Sequence, residues 1–207
     1  MKFLFWGIVY YIMISEVIYV SKKSMIYFVM LAVTPYLAVM PLFLLFLGSD
    51  ELWQLFGNSV YNLVIPVALF IVVTMILTVI CFIFSQAKKW DAYALAKTMA
   101  VIKIIHIPAY VAIFIVGVFC ALTIFSLPFT VLLAVFDYIL LVMSGMMTSS
   151  AVILAINQKP QISKKYYLLA ALQFVYCIDV VATWVLYLKL KSEREKSAVP
   201  LHNTDNV

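Results

Sequence analysis

Charge is what this sequence has least of. Aspartate, glutamate, lysine and arginine together make up 11% of its 207 residues, against 67% hydrophobic residues. A soluble domain carries about 25% charged and about 45–50% apolar residues, so there is too little polar surface here to cover a globule in water. Mean hydropathy is +1.13, and the surplus apolar surface has to face lipid. The five glycines form neither a phosphate-cradling loop nor a G-x-S-x-G elbow. Of the two histidines, only His106 lies in an apolar run, which excludes a histidine-rich metal site and an H-E-x-x-H motif. Cys81, Cys120 and Cys177 stand apart inside apolar runs, so they read as small packing residues rather than a disulfide framework or a zinc site. Period-two alternation is absent, which argues against a β-barrel. With no nucleophile–base pair or metal set in view, the sequence leans away from an enzyme and calls for no cofactor or metal.

What it does have is long apolar runs. Residues 3–20, 26–47, 61–85, 104–125, 129–156 and 166–188 are each apolar, and about 20 such residues cross the hydrocarbon core as a helix. The expected fold is an all-α, polytopic bundle of six spans, with five as the fallback. The first run is the shortest and carries Glu16; it is read as an uncleaved span or an interfacial helix. Pro35, Pro41 and Pro108 fall inside runs and predict kinks. Residues 86–103 read as an interfacial helix or the entry to the fourth span. Residues 1–190 form one transmembrane domain, and 191–207 a charged, polar tail with a disordered end.

The net charge of +5 comes from lysines flanking the runs, which points to contact with anionic lipid and not to nucleic acid. If all six runs cross, nine lysines lie on the side that holds the 86–103 and 157–165 connections, and five basic residues lie on the other. That favours an external N-terminus. The basic tail, which an even count of crossings places on the poorer side, dissents.

Four ionisable residues fall within runs: Glu16, His106, Asp137 and Asp179. A carboxylate at mid-membrane costs at least ~2.5–3.5 kcal/mol on insertion scales, so each is a functional candidate. If the last two runs are antiparallel crossings, Asp137 and Asp179 both lie roughly 12–14 Å from one edge. Thr130, Asp137, Ser144 and Thr148 share a helix face, as do Tyr176, Asp179 and Thr183, with Gln173 one turn away. Meeting faces would make an acidic seam in which two carboxylates share a proton. The plainer reading is that Tyr and Thr hydroxyls cap each carboxylate and hold helices together. Glu16 and His106 form a second candidate near the lysine-rich edge, where Glu16 can pair with Lys22 or Lys23 and His106 can be solvated. Small residues four apart, Gly117 with Ala121 and Gly145 with Ser149, suit close helix packing, with oligomerisation as the lesser option. Two functions stay open: a small transporter or permease-like protein using the seam, or a non-catalytic accessory, partner-subunit or immunity-type protein. The expected partners are the bilayer and either a second copy or a membrane subunit.

The stretch Lys103-Ile-Ile-His-Ile-Pro-Ala-Tyr110, the pair Ser144-Gly145 after Asp137, and Leu172-Gln-Phe-Val-Tyr-Cys-Ile-Asp179 resemble an uncharacterised family of small multi-pass bacterial membrane proteins. The resemblance covers the second half of the chain. It implies a helical topology in a bacterial inner membrane and carries no activity.

Overall fold

The computed structural model describes residues 24–47, 54, 57, 59–122, 127–158, 165–175 and 178–198. The first apolar run with Glu16, and Tyr176 of the sixth, lie outside the described residues. Those described form six helices and no strand: α1 Met25–Leu47, α2 Val60–Ala87, α3 Ala92–Ala121, α4 Leu127–Gln158, α5 Lys165–Leu172 and α6 Ile178–Ala198. The fold is therefore all-helical, as composition and periodicity require.

In α2, α3 and α4, the segments Val64–Ala87, Ala92–Ala121 and Thr130–Gln158 are long and apolar enough to cross a membrane. At 1.5 Å per residue they reach about 36–45 Å, more than the ~30 Å of a hydrocarbon core. The outward polarity agrees. On α2 the buried residues include Thr74, Thr78 and Ser85, while Leu69 and Ile83 are 63% and 59% exposed. A helix that turns hydroxyls inward and leucine and isoleucine outward has lipid, not water, as its solvent.

Helices α3 and α4 form the central antiparallel pair. Gln158 Nε2 donates to the Trp90 carbonyl at 2.8 Å at one end, and Ile113 packs with Leu133 and Val39 of α1 toward the other. The main core lies in the first of these halves. There Phe28 and Leu31 of α1, Leu95 and Met99 of α3, Met143 and Met147 of α4, Leu169 of α5, and Leu186 and Leu190 of α6 pack together. Residues 86–103 resolve into a turn and the start of α3, which runs unbroken past Lys103 to Ala121. Asp91 caps it, accepting from the Tyr93 amide at 3.2 Å.

The sixth apolar run does not form one crossing helix. It splits into α5 and α6, and the two fold back on each other. The Tyr166 hydroxyl at the start of α5 donates to Glu193 near the end of α6 at 2.8 Å, and Lys189 Nζ sits 5.4 Å over the Tyr166 ring. Against α3, α6 runs the opposite way: Asp179 meets Lys103, the Tyr187 and Tyr93 rings lie 5.8 Å apart, and Arg194 reaches Asp91 at 3.6 Å. The pair is a helical hairpin whose base lies at the end where α3 begins and whose tip is inside the bundle, about 18 Å along α3 from Asp91.

Two features make the turn. The last turn of α5 tightens, with the amides of Gln173, Phe174 and Val175 bonding three residues back to Ala170, Ala171 and Leu172 at 3.2–3.3 Å. The Gln173 carbonyl then presses on α4 at Gly145, 3.0 Å from where a Cβ would stand, so any larger residue there forces the turn to give way. The expectation that the sixth run is antiparallel to the fifth along a full crossing is thereby corrected. Helix α6 also runs on through residues 191–198, placed in the tail by the sequence reading, which begins as helix.

Candidate functional site

Burying an ammonium and a carboxylate in an apolar bundle is costly unless each finds the other and its remaining hydrogen-bonding capacity is met. The hairpin tip meets both conditions. Lys103 Nζ donates to Asp179 Oδ2 at 2.9 Å, to Gln173 Oε1 at 2.8 Å and to the Asp179 carbonyl at 3.3 Å. Three acceptors serve three N–H bonds. The two side chains are 0% and 2% exposed. The Thr183 hydroxyl lies 2.8 Å from Gln173 Oε1 and 2.7 Å from the Asp179 carbonyl, so its one proton is shared between them.

Each member is placed by local structure. Asp179 stands in the first turn of α6, where the helix dipole favours a carboxylate, and Thr183 follows one turn later on the same face. Gln173 stands at the end of α5, so its amide reaches across the hairpin. Its oxygen serves Lys103 and Thr183, while its buried Nε2 has no hydrogen-bond partner. Behind the tip, α4 offers small residues. Ser144 and Thr148 turn their hydroxyls back onto their own helix, bonding the Leu141 and Ser144 carbonyls at 3.3 and 3.0 Å, and leave Gly145 as a flat seat for the turn.

One turn along α3 a second polar group bridges to α1. His106 Nε2 lies 3.0 Å from the Leu31 carbonyl, and the Tyr110 hydroxyl lies 3.4 Å from Nδ1. A carbonyl can only accept, so Nε2 carries the proton and Nδ1 accepts from Tyr110. Pro108 lies inside α3 and cannot donate to the Ile104 carbonyl. Tyr36 of α1 donates to the next carbonyl, that of Ile105. A third group, Ser85 and Gln86 on Ser150, ties α2 to α4, with Gln86 Nε2 at 2.6 Å from Ser150 Oγ.

Of the residues singled out from sequence, Asp179 and Thr183 meet in one site, and Ser144 lies beside its glycine seat. Asp137 is buried on α4, eight residues and so about 12 Å beyond Gly145, away from the hairpin base. The structure gives Asp179 a lysine for its partner and not a second carboxylate, because the sixth run turns back before reaching the level of Asp137. His106, read as a solvated interfacial residue, is fully buried. Gln173 is legible in the sequence as one turn from the Asp179 face, but Lys103 is not legible as a site residue. Lys103 follows Lys88, Lys89 and Lys97 in the chain and reads as one more flanking charge. Its spacing of three from His106 and seven from Tyr110, one helix face, was the available signal.

Among the described residues no three His, Cys, Asp or Glu side chains group as a metal site. No family model matches the chain, and no curated protein or solved structure matches it either.

Proposed function

We propose that this chain is a small multi-pass protein of the bacterial cytoplasmic membrane, permease-like, with the hairpin tip as its polar centre. In this reading α1 to α4 cross the bilayer and α5–α6 enter and leave on one face, so the sixth run adds no crossing. The observation that carries it is the Lys103–Asp179 pair, fully buried in an apolar bundle at a helix interruption. Discontinuous helices at membrane depth are the usual means of offering backbone and side-chain polar groups to a solute or proton within a bilayer. The pair is net neutral when closed. Moving the tip away from α3 would expose an ammonium, a carboxylate and the Gln173 amide together, able to bind a zwitterion or relay a proton.

The test is flux in liposomes holding the purified protein, with a pH-sensitive dye inside and a potassium diffusion potential as the driving force. Proton movement above that of empty liposomes, lost in Asp179→Asn and Lys103→Gln, supports the relay. Counterflow of a radiolabelled amino-acid mixture reads the zwitterion case. Silence in both assays with folded protein overturns the permease reading.

One observation favours a second reading, a non-catalytic accessory or partner subunit. All three Lys103 protons are already satisfied and the site is closed to solvent, as a structural clasp requires. A clasp tolerates replacement of the whole pair by apolar residues, whereas a transport centre does not.

A further inference from the structure

The base of the hairpin gathers charge and aromatic rings in one place. The exposed Arg194 of α6 lays its guanidinium 4.9 Å over the Tyr93 ring of α3. Tyr93 faces Tyr187, and Trp184 meets the edge of Tyr187 at 5.6 Å. Lys97 lies one turn along α3 from Tyr93, on the same face. Trp90 closes the α2–α3 turn, where Lys88 and Lys89 are exposed. The acidic residues at this end are engaged: Asp91 with Arg194 and the Tyr93 amide, Glu193 with Tyr166, Glu195 with Lys191. Among the described residues from Lys88 onward, Lys88, Lys89, Lys97, Lys189, Lys191, Arg194 and Lys196 belong to the α2–α3 turn, the first turns of α3 and the end of α6.

We infer that the seam between α3 and α6 at the hairpin base is a binding site for the phosphate headgroup of an anionic phospholipid. Two kinds of observation converge. Tyrosine and tryptophan concentrate at the headgroup level of a bilayer, and here they mark that level on both helices. Arginine and lysine flank those rings, with Arg194 half exposed and held by a single ion pair of 3.6 Å, longer than a hydrogen bond. A phosphate between Arg194 and Lys97 accepts from both, while its acyl chains follow the exposed apolar residues further along α3, Ile104 two turns from Lys97 and Ile107 beyond it. The described residues of this end carry more basic than acidic side chains, and a phosphate offsets that surplus where a neutral headgroup does not.

Thermal unfolding of the full chain in a neutral maltoside detergent tests this, with phosphatidylglycerol, phosphatidylcholine or inorganic phosphate added. Phosphatidylglycerol is expected to raise the midpoint in a saturable way and the other two to leave it unchanged. Each cation near an anionic membrane surface is worth about fivefold in affinity. Lys97→Gln should therefore raise the half-saturating lipid concentration about fivefold, and Lys97→Gln with Arg194→Gln about twenty-five-fold. Arg194→Lys, which keeps the charge but not the planar stack, should keep most of the response even if the aromatic packing loosens. Equal stabilisation by phosphatidylcholine, or by phosphate alone, overturns the site, as does an undiminished phosphatidylglycerol response in the double variant.

Discussion

At the scale of single residues, the buried pair sets the sharpest expectations. Asp179→Leu leaves the Lys103 ammonium without its carboxylate in a dry site and should destabilise by about 3–5 kcal/mol, because one uncompensated charge costs more than the pair contributes. Lys103→Met together with Asp179→Leu removes both charges and should recover most of that loss. A double-mutant cycle on detergent unfolding reads the difference. If the double variant is as unstable as the single one, the ion pair is not what holds the tip. Glycine gives a second contrast. At Gly145 an added methyl meets the Gln173 carbonyl at 3.0 Å, whereas at Gly117 nothing lies within 4 Å. Gly145→Ala should cost about 1–3 kcal/mol through a forced backbone shift. Gly117→Ala should be neutral or stabilise by up to about 1 kcal/mol, since alanine loses less entropy in a helix. Equal effects in the same unfolding assay would contradict the close approach at the hairpin turn.

At the scale of elements, the hairpin is fastened unequally. Its tip is held by a buried pair with every lysine proton satisfied, and its base by partly exposed contacts: Tyr166 with Glu193, and Arg194 with Asp91. Exposed ion pairs contribute little. Glu193→Gln and Arg194→Ala should each cost under about 1 kcal/mol, well below the tip variants, when unfolding midpoints are compared. The ranking would fail if base variants equalled Asp179→Leu. The sequence marks α2, α3 and α4 plainly, because lipid imposes one length and one composition on a crossing helix. It does not mark the break between α5 and α6. Residues 166–188 contain neither proline nor glycine, so the usual punctuation is missing. The glycine that permits the turn is on α4, 28 positions earlier in the chain.

At the scale of the whole molecule, the hairpin reconciles a conflict. Counting each apolar run as a crossing strands the basic tail opposite the other lysines. A hairpin returns the tail to the α2–α3 turn, and Lys189, Lys191, Arg194 and Lys196 join Lys88 and Lys89 at one end, as the positive-inside tendency favours. A reporter fused after Val207 and a cysteine placed at position 89 should therefore both report the cytoplasmic side. Labelling from opposite faces would restore the sixth run as a crossing and remove the hairpin from the membrane topology.

The sequence by itself determined the solvent, the helical class and the approximate ends of α2 and α4, since these follow from composition and spacing that every neighbouring residue shares, whereas α3 begins at Ala92, well before the apolar run that announces it at residue 104. It also pointed to Asp179, because a carboxylate in an apolar run stands out whatever surrounds it. Only the tertiary structure decided what Asp179 binds. Lys103 lies 76 positions earlier, and nothing local separates a lysine at a helix entry from one drawn into the bundle. The choice rests on where a distant carboxylate ends up, and that position depends on a turn seated against another helix. Long-range pairing of buried charge is a property of the assembled bundle, while hydropathy is a property of each segment alone.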